Sequence, residues 1–334
     1  MSGMVSRSTR VSRVARYLVI VGAGLLVAAP WWGSFATERL IGEMMVYVAL
    51  ASLWNLLAGY TGVVSVGQQA YVGLGAYSLI ALSLLAGLNP LLAIPIAGLG
   101  AAIAALPVAR LVFRLQGAYL AIGTWVVSEL FRIAVARLPI LGGGSGISLP
   151  TEIMKLVGES RFWREATIYW LALALGFAAV AFVYVLLRSR IGLALTAIRD
   201  NETASASLGV PIERIRFAVY VGVAAITGMI GSLVVLQKVR VTPETAFSVN
   251  DWTVFVVFIV VIGGIGTIEG PIIGTLIYFA LREFLADLGS IYLLILGGLA
   301  IAIMLVAPKG IWGLVKDRYG TNLFPTGYWV SSKD

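Results

Sequence analysis

Long apolar stretches are the feature that most constrains this chain. A helix needs roughly 20 apolar residues to cross a hydrocarbon core about 30 Å thick. Stretches of that length recur along the 334 residues, of which 60% are hydrophobic and 12% are charged. A water-soluble domain has about a quarter of its residues charged. With so few charges the chain cannot cover a soluble surface, and it is predicted to be an all-α polytopic membrane protein.

About ten membrane-spanning helices are predicted from these stretches. The run from Ala166 to Leu187 is the cleanest of them. Glycines and Pro271 interrupt the stretch at 252–288, where a re-entrant or broken segment is an alternative. The predicted spans are 17–36, 40–58, 70–88, 90–112, 117–137, 165–187, 214–236, 252–268, 271–288 and 290–307.

The positions of Lys and Arg predict that both termini are cytoplasmic. Cytoplasmic loops of membrane proteins carry an excess of these residues. Ten spans place the basic tail 1–16, the loop 188–213 and the tail 308–334 on one side of a transmembrane domain at 17–307. The net charge of +8 therefore fits orientation and lipid headgroups better than a nucleic acid partner.

The N-terminus has the basic-then-apolar order of a signal peptide, but we expect an uncleaved first span. Its apolar part continues through Trp31, Trp32 and Phe35, which is longer than the usual hydrophobic region of a signal peptide. The two tryptophans also suit a membrane interface.

The chain has no Cys and no His. This excludes disulfides, thiolate chemistry and Cys/His metal sites, and it removes the side chain that most often does acid–base work near neutral pH. No nucleophile–base set is apparent either. We predict no metal, no cofactor and no enzymatic activity.

A glycine-rich stretch, GYTGVVSVGQQAYVGLGAY, runs from Gly59 to Tyr77. Glycine lets membrane helices approach closely, which fits simple packing. The stretch fits equally well a broken helix whose backbone groups and amides line a polar path. Adjacent glutamines are costly in lipid and must face protein or water. The candidate path residues are Gly62, Ser65, Gln68, Gln69 and Tyr71.

Two further stretches interrupt the apolar pattern. In RLQGAYLAIGTWVVSELFRI, Glu129 and Arg132 are three residues apart and share a helix face, which favours a structural ion pair. VIGGIGTIEGPIIGT cannot be one ordinary helix, and it lacks the Lys and Ser/Thr of a phosphate-binding loop. The structural break in this second stretch is assigned to Gly263, Gly264, Gly266, Gly270 and Pro271.

The loop 188–213 contains TAIRDNETASASLGVP, which is polar and small-sided. Residues 197–208 are predicted to form a short helix that stops at Gly209. A solvated connector and a helix lying on lipid are the alternatives, but a lipid-bound helix needs Trp, Phe or Leu on one face. Small side chains suit close contact with another protein, so we predict a docking helix. Its candidate residues are Ala197, Arg199, Asp200, Asn201, Glu202, Ala204, Ala206 and Gly209.

GYTGVVSVGQQAYVGLGAY, SRIGLALTAIRDNETASASLGV and VIGGIGTIEGPIIGT together resemble the branched-chain amino acid ABC transporter permease family, in its M-type subunit. RLQGAYLAIGTWVVSEL and LGGGSGI also fit, and the resemblance covers roughly residues 40–315. The sequence differs from the family's pattern by its extra glutamine at Gln68–Gln69. The resemblance implies a permease like those of type II ABC importers.

The resemblance also implies partners: a second, similar permease in a heterodimer, two cytoplasmic ATPases and a periplasmic or extracellular solute-binding protein. The stretch Ser189–Val210 matches the coupling helix that contacts the ATPase. The implied location is the bacterial inner membrane. Glu202 is expected to meet a basic or amide group of the ATPase.

Other functions stay open on the sequence alone. Family members also handle urea, short amides and other amino acids, and a simple-sugar permease is a neighbouring alternative. A secondary transporter would couple to ions through intramembrane carboxylates. The candidates for that role are Glu43, Glu129, Asp251, Glu269, Glu283 and Asp287.

Overall fold

The computed structural model describes residues 4–6, 10–285, 289, 291–319, 323–324 and 329–331. Asp287 and parts of the predicted tails 1–16 and 308–334 lie outside the described residues. The helices are α1 (Arg10–Val27), α2 (Phe35–Asn55), α3 (Gln68–Leu85), α4 (Pro90–Val112), α5 (Ala118–Ala136), α6 (Thr151–Lys155), α7 (Arg161–Arg188), α8 (Arg190–Asp200), α9 (Glu202–Ser207), α10 (Ile212–Lys238), α11 (Pro243–Ala246), α12 (Phe255–Gly263), α13 (Glu269–Leu285), α14 (Ile291–Val306) and α15 (Gly310–Tyr319).

The prediction of an all-α polytopic membrane protein is confirmed. Seven helical stretches are long and apolar enough to cross a membrane: Phe35–Tyr60, Pro90–Val112, Ala118–Ala136, Arg161–Arg188, Ile212–Lys238, Pro243–Gly263 and Ile291–Arg318. The shorter or less apolar helices α1, α3 and α13 overlap the other three predicted spans. A total of ten crossings stays a prediction.

The first span differs from its predicted bounds of 17–36. Helix α1 ends at Val27, and a 3-10 turn follows at Ala29–Trp31. Pro30 explains the early end, because proline lacks the N–H that a continuing helix needs. Helix α1 is attached to α7 by two side chains: Tyr169 donates to the Leu26 carbonyl (2.8 Å) and Trp170 donates to the Val27 carbonyl (3.0 Å).

Helices α2 and α10 form the buried centre of the molecule. Helix α10 packs against α3 and α4, and α2 packs against α7. Small residues allow the close crossings: a Cβ on Gly75 would overlap the backbone of Gly228, and a Cβ on Gly231 would overlap that of Val72. Among the seven stretches that are long and apolar enough to cross a membrane, those that contain α5 and α14 are the least buried, so their faces are available to lipid or to other subunits.

The stretch at 252–288 is broken into two helices, as its glycines and Pro271 indicated. Helix α12 ends at Gly263 and α13 begins at Glu269, and the two pack against each other. Gly264 and Gly266 have φ of 128° and 74° in the turn between them, which side chains disfavour. Helix α15 then packs on both α12 and α13.

Two short antiparallel strand pairs join distant parts of the chain. Strand β2 (Ile147–Ser148) pairs with β3 (Arg240–Val241) and connects the loops that follow α5 and α10. Strand β1 (Met4–Ser6) pairs with β4 (Trp329–Ser331), so the two ends of the chain lie side by side.

Candidate functional site: an extended segment and the loop 188–213

The segment 61–67 is non-helical and runs beside the second half of α2. A π-helical turn at Leu56–Tyr60 ends α2, and α3 begins at Gln68. Trp54 donates its indole N–H to the Ser65 carbonyl (2.8 Å), and Gln68 donates its amide to the Leu50 carbonyl (3.0 Å). Leu50 precedes Tyr60 by ten residues, or about 15 Å at 1.5 Å per residue. The segment 61–67 is therefore non-helical backbone at membrane depth.

Side chains along segment 61–67 alternate between buried and accessible positions. Val63 and Ser65 are both 3% exposed, whereas Val64 is 48% exposed. Gly62 is exposed as well. The buried side is held by α5, where Thr124 accepts a hydrogen bond from the Val66 N–H (2.9 Å). This alternation is that of a strand, and it aims Gly62 and Val64 away from the core.

The two glutamines of the first motif face protein, which is one of the two environments that the sequence allowed. Gln69 is 0% exposed; it donates to the Val66 carbonyl (2.9 Å) and accepts a short hydrogen bond from Thr253. Gln68 is 5% exposed, and its amide nitrogen binds α2 as described above. In this chain both amides hold the start of α3 against its neighbours.

Tyr71 is also buried inside the chain. Its hydroxyl donates to that of Tyr220 (3.1 Å), and the two rings meet edge to face with centroids 5.8 Å apart. Of the five candidate path residues, Gly62 is thus the exposed one, and Ser65, Gln68, Gln69 and Tyr71 lie beneath it. The sequence analysis overlooked Val64, which the alternation of a strand points outward.

The helix predicted at 197–208 is wrong as a single element. Asn201 has an extended backbone (φ −159°, ψ 103°) and separates α8 from α9. Its side chain accepts from the Ala204 N–H (2.9 Å) and so caps α9. Asparagine competes with helix continuation in this way. The predicted stop is present, since Gly209 follows α9 with φ 80°.

Glu202 binds a residue of its own chain. The guanidinium of Arg216 donates to both of its carboxylate oxygens (2.7 and 2.9 Å), and the contact of Glu202 with a group of the ATPase stays a prediction. Hydrogen bonding by Arg216 lowers the pKa of Glu202 below its ordinary value. Arg216 also donates through Nε to the Thr61 carbonyl (2.9 Å). One arginine therefore connects α9 to the beginning of segment 61–67.

A second arginine reaches the same place from α8. The Arg199 guanidinium lies 5.8 Å from the centre of the Tyr60 ring, which is a cation–π distance. Arg199 also contacts Asp200 (3.3 Å), and both residues are exposed. Together with Arg216, Arg199 places loop 188–213 against the junction between α2 and segment 61–67.

The outer face of loop 188–213 carries small side chains and two large apolar ones. Ala197, Ala204 and Ala206 are exposed. Leu193 is 74% exposed and Leu208 is 84% exposed. These leucines were not among the predicted docking residues, although a search for apolar side chains flanking the small ones would have found them. Single exposed leucines are common on protein surfaces, so the small side chains remain the basis of the docking prediction.

A cavity of about 940 Å³ lies between loop 188–213 and the rest of the molecule. Gly62, Phe113, Gln116, Ala206 and Arg216 are among its lining residues. The cavity thus connects the exposed side of α9 to the exposed end of segment 61–67.

Asn55 binds the glycine turn between α12 and α13. Its side chain accepts from the Gly266 N–H (2.7 Å) and donates to the Thr267 carbonyl (2.7 Å). A Cβ on Gly263 would overlap the Gly270 carbonyl. Gly270 and Pro271 lie in the buried first turn of α13. The predicted break residues hence form one tight turn, and it adjoins the end of α2.

Two of the intramembrane carboxylates, Glu129 and Glu43, form ion pairs, whereas Glu269 accepts hydrogen bonds from the backbone N–H groups of Leu323 and Phe324 (3.0 Å each). Arg132 binds Glu129 through Nε (2.9 Å to each oxygen), which confirms their shared helix face. Arg282 binds Glu43 across α13 and α2 (2.8 and 3.0 Å). Among the described residues no group of His, Cys, Asp and Glu is arranged to hold a metal ion.

Comparison with a family model and comparison with individual relatives point to the same family. Residues 36–307 match the family described as "Branched-chain amino acid transport system / permease component". Two relatives are named "High-affinity branched-chain amino acid transport system permease protein LivM". The one from Escherichia coli (strain K12) is 31% identical over 316 residues, covering 88% of this chain and 74% of the relative. The one from Salmonella typhimurium is 30% identical with the same coverage.

A more distant relative comes from Methanocaldococcus jannaschii and is named "Probable branched-chain amino acid transport permease protein LivM". It is 29% identical over 277 residues, covering 76% of this chain and 79% of the relative. No solved structure matches the chain.

Proposed function

We propose a function from the premise that this chain belongs to the branched-chain amino acid transport system permease component family. The chain is the permease subunit of an ABC importer, and it is not an enzyme. We propose that it carries branched-chain amino acids. The observation that supports this substrate is the similarity to the two LivM permeases over 88% of the chain.

The proposed assembly has two permeases, two cytoplasmic ATPases and an extracytoplasmic solute-binding protein. The chain supplies one permease in a type II importer-like fold with ten crossings. A second, different permease completes the path across the inner membrane. The exposed face of α5, which carries Tyr119, Ile122 and Val126, supports such a pairing because it has few contacts within the chain.

We place loop 188–213 and both chain ends in the cytoplasm. The basic residues in that loop and in the tails support this orientation. The pairing of β1 with β4 agrees with it, because the two ends of the chain then share one side.

We propose that α8 and α9 form the coupling element that contacts the ATPase. The docking face consists of Ala197, Asp200, Ala204 and Ala206, together with Leu193 and Leu208. Gly209 ends α9, and Asn201 sets the bend between the two helices. A small-faced helix that enters a groove is a recurrent mode of recognition.

Movement of the coupling element then reaches the path through Arg216. This residue binds Glu202 on α9 and the Thr61 carbonyl at the start of segment 61–67. Arg199 supports the same junction through the Tyr60 ring. Glu202 thus acts within the permease, and the ATPase contacts the small and apolar residues beside it.

Transport by a reconstituted complex tests the proposed function. The chain is co-expressed with a second permease and the ATPases encoded beside it, then purified through a tag on the chain. We expect the ATPases to co-purify, and we expect proteoliposomes with the binding protein to take up leucine, isoleucine or valine only with ATP.

Competing solutes give this test its specificity. Urea, a short amide and a simple sugar are assayed in the same proteoliposomes. ATP-driven uptake of one of these solutes, without uptake of branched-chain amino acids, would make that solute the substrate in place of branched-chain amino acids. Uptake driven by an ion gradient without any ATPase would replace the importer by a secondary transporter.

A further inference from the structure

We propose that Gly62, Val63 and Val64 form a solute-binding wall, in which backbone groups contact the amino acid and Val64 contacts its aliphatic side chain. The inference rests on the proposed function and adds a site to it. The site differs from the glutamines and Tyr71 of the same motif, because those residues are buried beneath the wall.

The position of the segment excludes a lipid environment for its exposed side. Its hydrogen bonds to Trp54 and Thr124 fix it beside two apolar helices at membrane depth. Irregular backbone at this depth occurs only where it is buried in protein or lines a water-filled cavity. Gly62 and Val64 are not buried by this chain, so they face a path or a second subunit.

The backbone around Val64 offers both donors and acceptors. Within the described part of the chain, the N–H groups of Val64 and Ser65 and the carbonyls of Gly62, Val63 and Val64 have no hydrogen-bond partner. By contrast, the carbonyls of Thr61, Ser65 and Val66 are all used. Unpaired backbone groups at membrane depth cost several kcal/mol each unless they meet polar groups.

The unpaired groups match the chemistry of an amino acid. A carboxylate accepts hydrogen bonds from N–H groups, and an ammonium donates to carbonyls. Unwound backbone near the middle of the membrane serves substrates in this way in several transporter folds. Val64 adds an apolar surface next to these groups. An aliphatic α-amino acid presents both kinds of surface, which a sugar does not.

The wall also continues into the cavity beside the coupling element. Gly62 and Val63 line the cavity of about 940 Å³, as do Ala206 and Arg216. A solute that leaves Val64 therefore has an open volume next to it on the side of loop 188–213.

Cysteine accessibility tests the wall directly, because the chain contains no native Cys. Val64→Cys is compared with Val63→Cys, whose position is 3% exposed, and with Leu99→Cys on α4, whose position is 61% exposed among the apolar residues Leu92, Ile96 and Ile103. The probe is a charged, membrane-impermeant methanethiosulfonate applied to the purified complex in proteoliposomes. We expect Val64→Cys to react about tenfold faster than either control.

Protection by substrate then tests the contact. We expect leucine with the binding protein to slow the reaction of Val64→Cys, and we expect Val64→Trp to abolish uptake while Val64→Ala retains it at equal abundance. A Val64→Cys variant that is as unreactive as Leu99→Cys would show a packed interface and overturn the inference. So would labelling that no transported solute slows, and in that case the measured uptake would leave the proposed function intact.

Discussion

The guanidinium of Arg216 donates hydrogen bonds to three oxygen atoms of two residues, in a geometry that lysine cannot reproduce. Its planar fork binds both oxygens of Glu202 and its Nε binds the Thr61 carbonyl. An ammonium is a point charge and does not form this bidentate pair. Substitution at this position therefore tests the connection without removing the charge.

We expect Arg216→Lys to uncouple transport. ATP hydrolysis and co-purification of the ATPases should persist, because the docking face is unchanged, while uptake per ATP should fall about tenfold, because lysine cannot form the bidentate pair. Uptake and hydrolysis are measured in the same proteoliposomes. Arg214→Lys is the matched control. Normal uptake per ATP by Arg216→Lys would show that the contacts of Arg216 with Glu202 and Thr61 do not couple ATP hydrolysis to transport.

The Glu202–Arg216 pair should be insensitive to pH in the physiological range. The folded-state pKa of Glu202 is lowered, so the pair contributes stability above the unfolded-state pKa and loses it as pH falls through the folded-state pKa. Both values lie below neutral, and we expect the same yield of co-purified ATPase between about pH 6 and 8. A decline of that yield between pH 8 and 6 in the native chain but not in Glu202→Gln would contradict the assignment.

At the scale of the element, α9 is a short helix with a single capping side chain. Asn201→Ala should remove the cap, at a cost of about 1 kcal/mol, and loosen α9.

Ala204→Trp adds a large side chain to the exposed face, and we expect it to abolish co-purification of the ATPases. Ala36→Trp, on an exposed alanine at the far end of α2, is the control. Co-purification of ATPases by Ala204→Trp at normal permease abundance would exclude α9 as the docking helix.

The start of α3 depends on buried amides. Gln69→Leu would leave the Thr253 hydroxyl without its acceptor, and a buried unpaired group costs about 1–3 kcal/mol. We therefore expect a lower unfolding temperature for Gln69→Leu in detergent. Gln69→Asn retains the amide and should lose part of this stability only. An unchanged unfolding temperature for Gln69→Leu, together with reduced uptake, would show that Gln69 acts directly in the path and not through stability.

The long helices were predictable from the sequence because apolar length determines them. The docking role of loop 188–213, which was inferred from its small side chains, stays a prediction. The ion-pair partner of Glu202 was not predictable from the sequence, since Arg216 lies 14 residues away beyond a turn. The contacts of segment 61–67 were likewise not predictable, because its hydrogen bonds come from Trp54 and from Thr124, which is 58 residues away from Val66.

At the scale of the whole molecule, the orientation can be measured with the same Cys-free background. Ser205 is 3% exposed and would not react, whereas Ala206 and Glu159 are exposed. We expect a Cys at Glu159 to react with an impermeant reagent in intact cells, and a Cys at Ala206 to react only after permeabilisation. The opposite pattern would invert the proposed topology.

Helix α10 connects the two ends of the molecule, and the β2–β3 pair fixes one of those ends. Arg216 and Val239 are 23 residues apart, or about 35 Å along the helix axis, and the Val239 carbonyl accepts a hydrogen bond from Leu149 (2.9 Å). A helix that is pinned at one end and pushed at the other behaves as a lever. Because α10 is packed along its length against α3 and α4, we expect a push on α9 to shift these helices together, with the displacement largest at Arg216 and smallest at the strand pair.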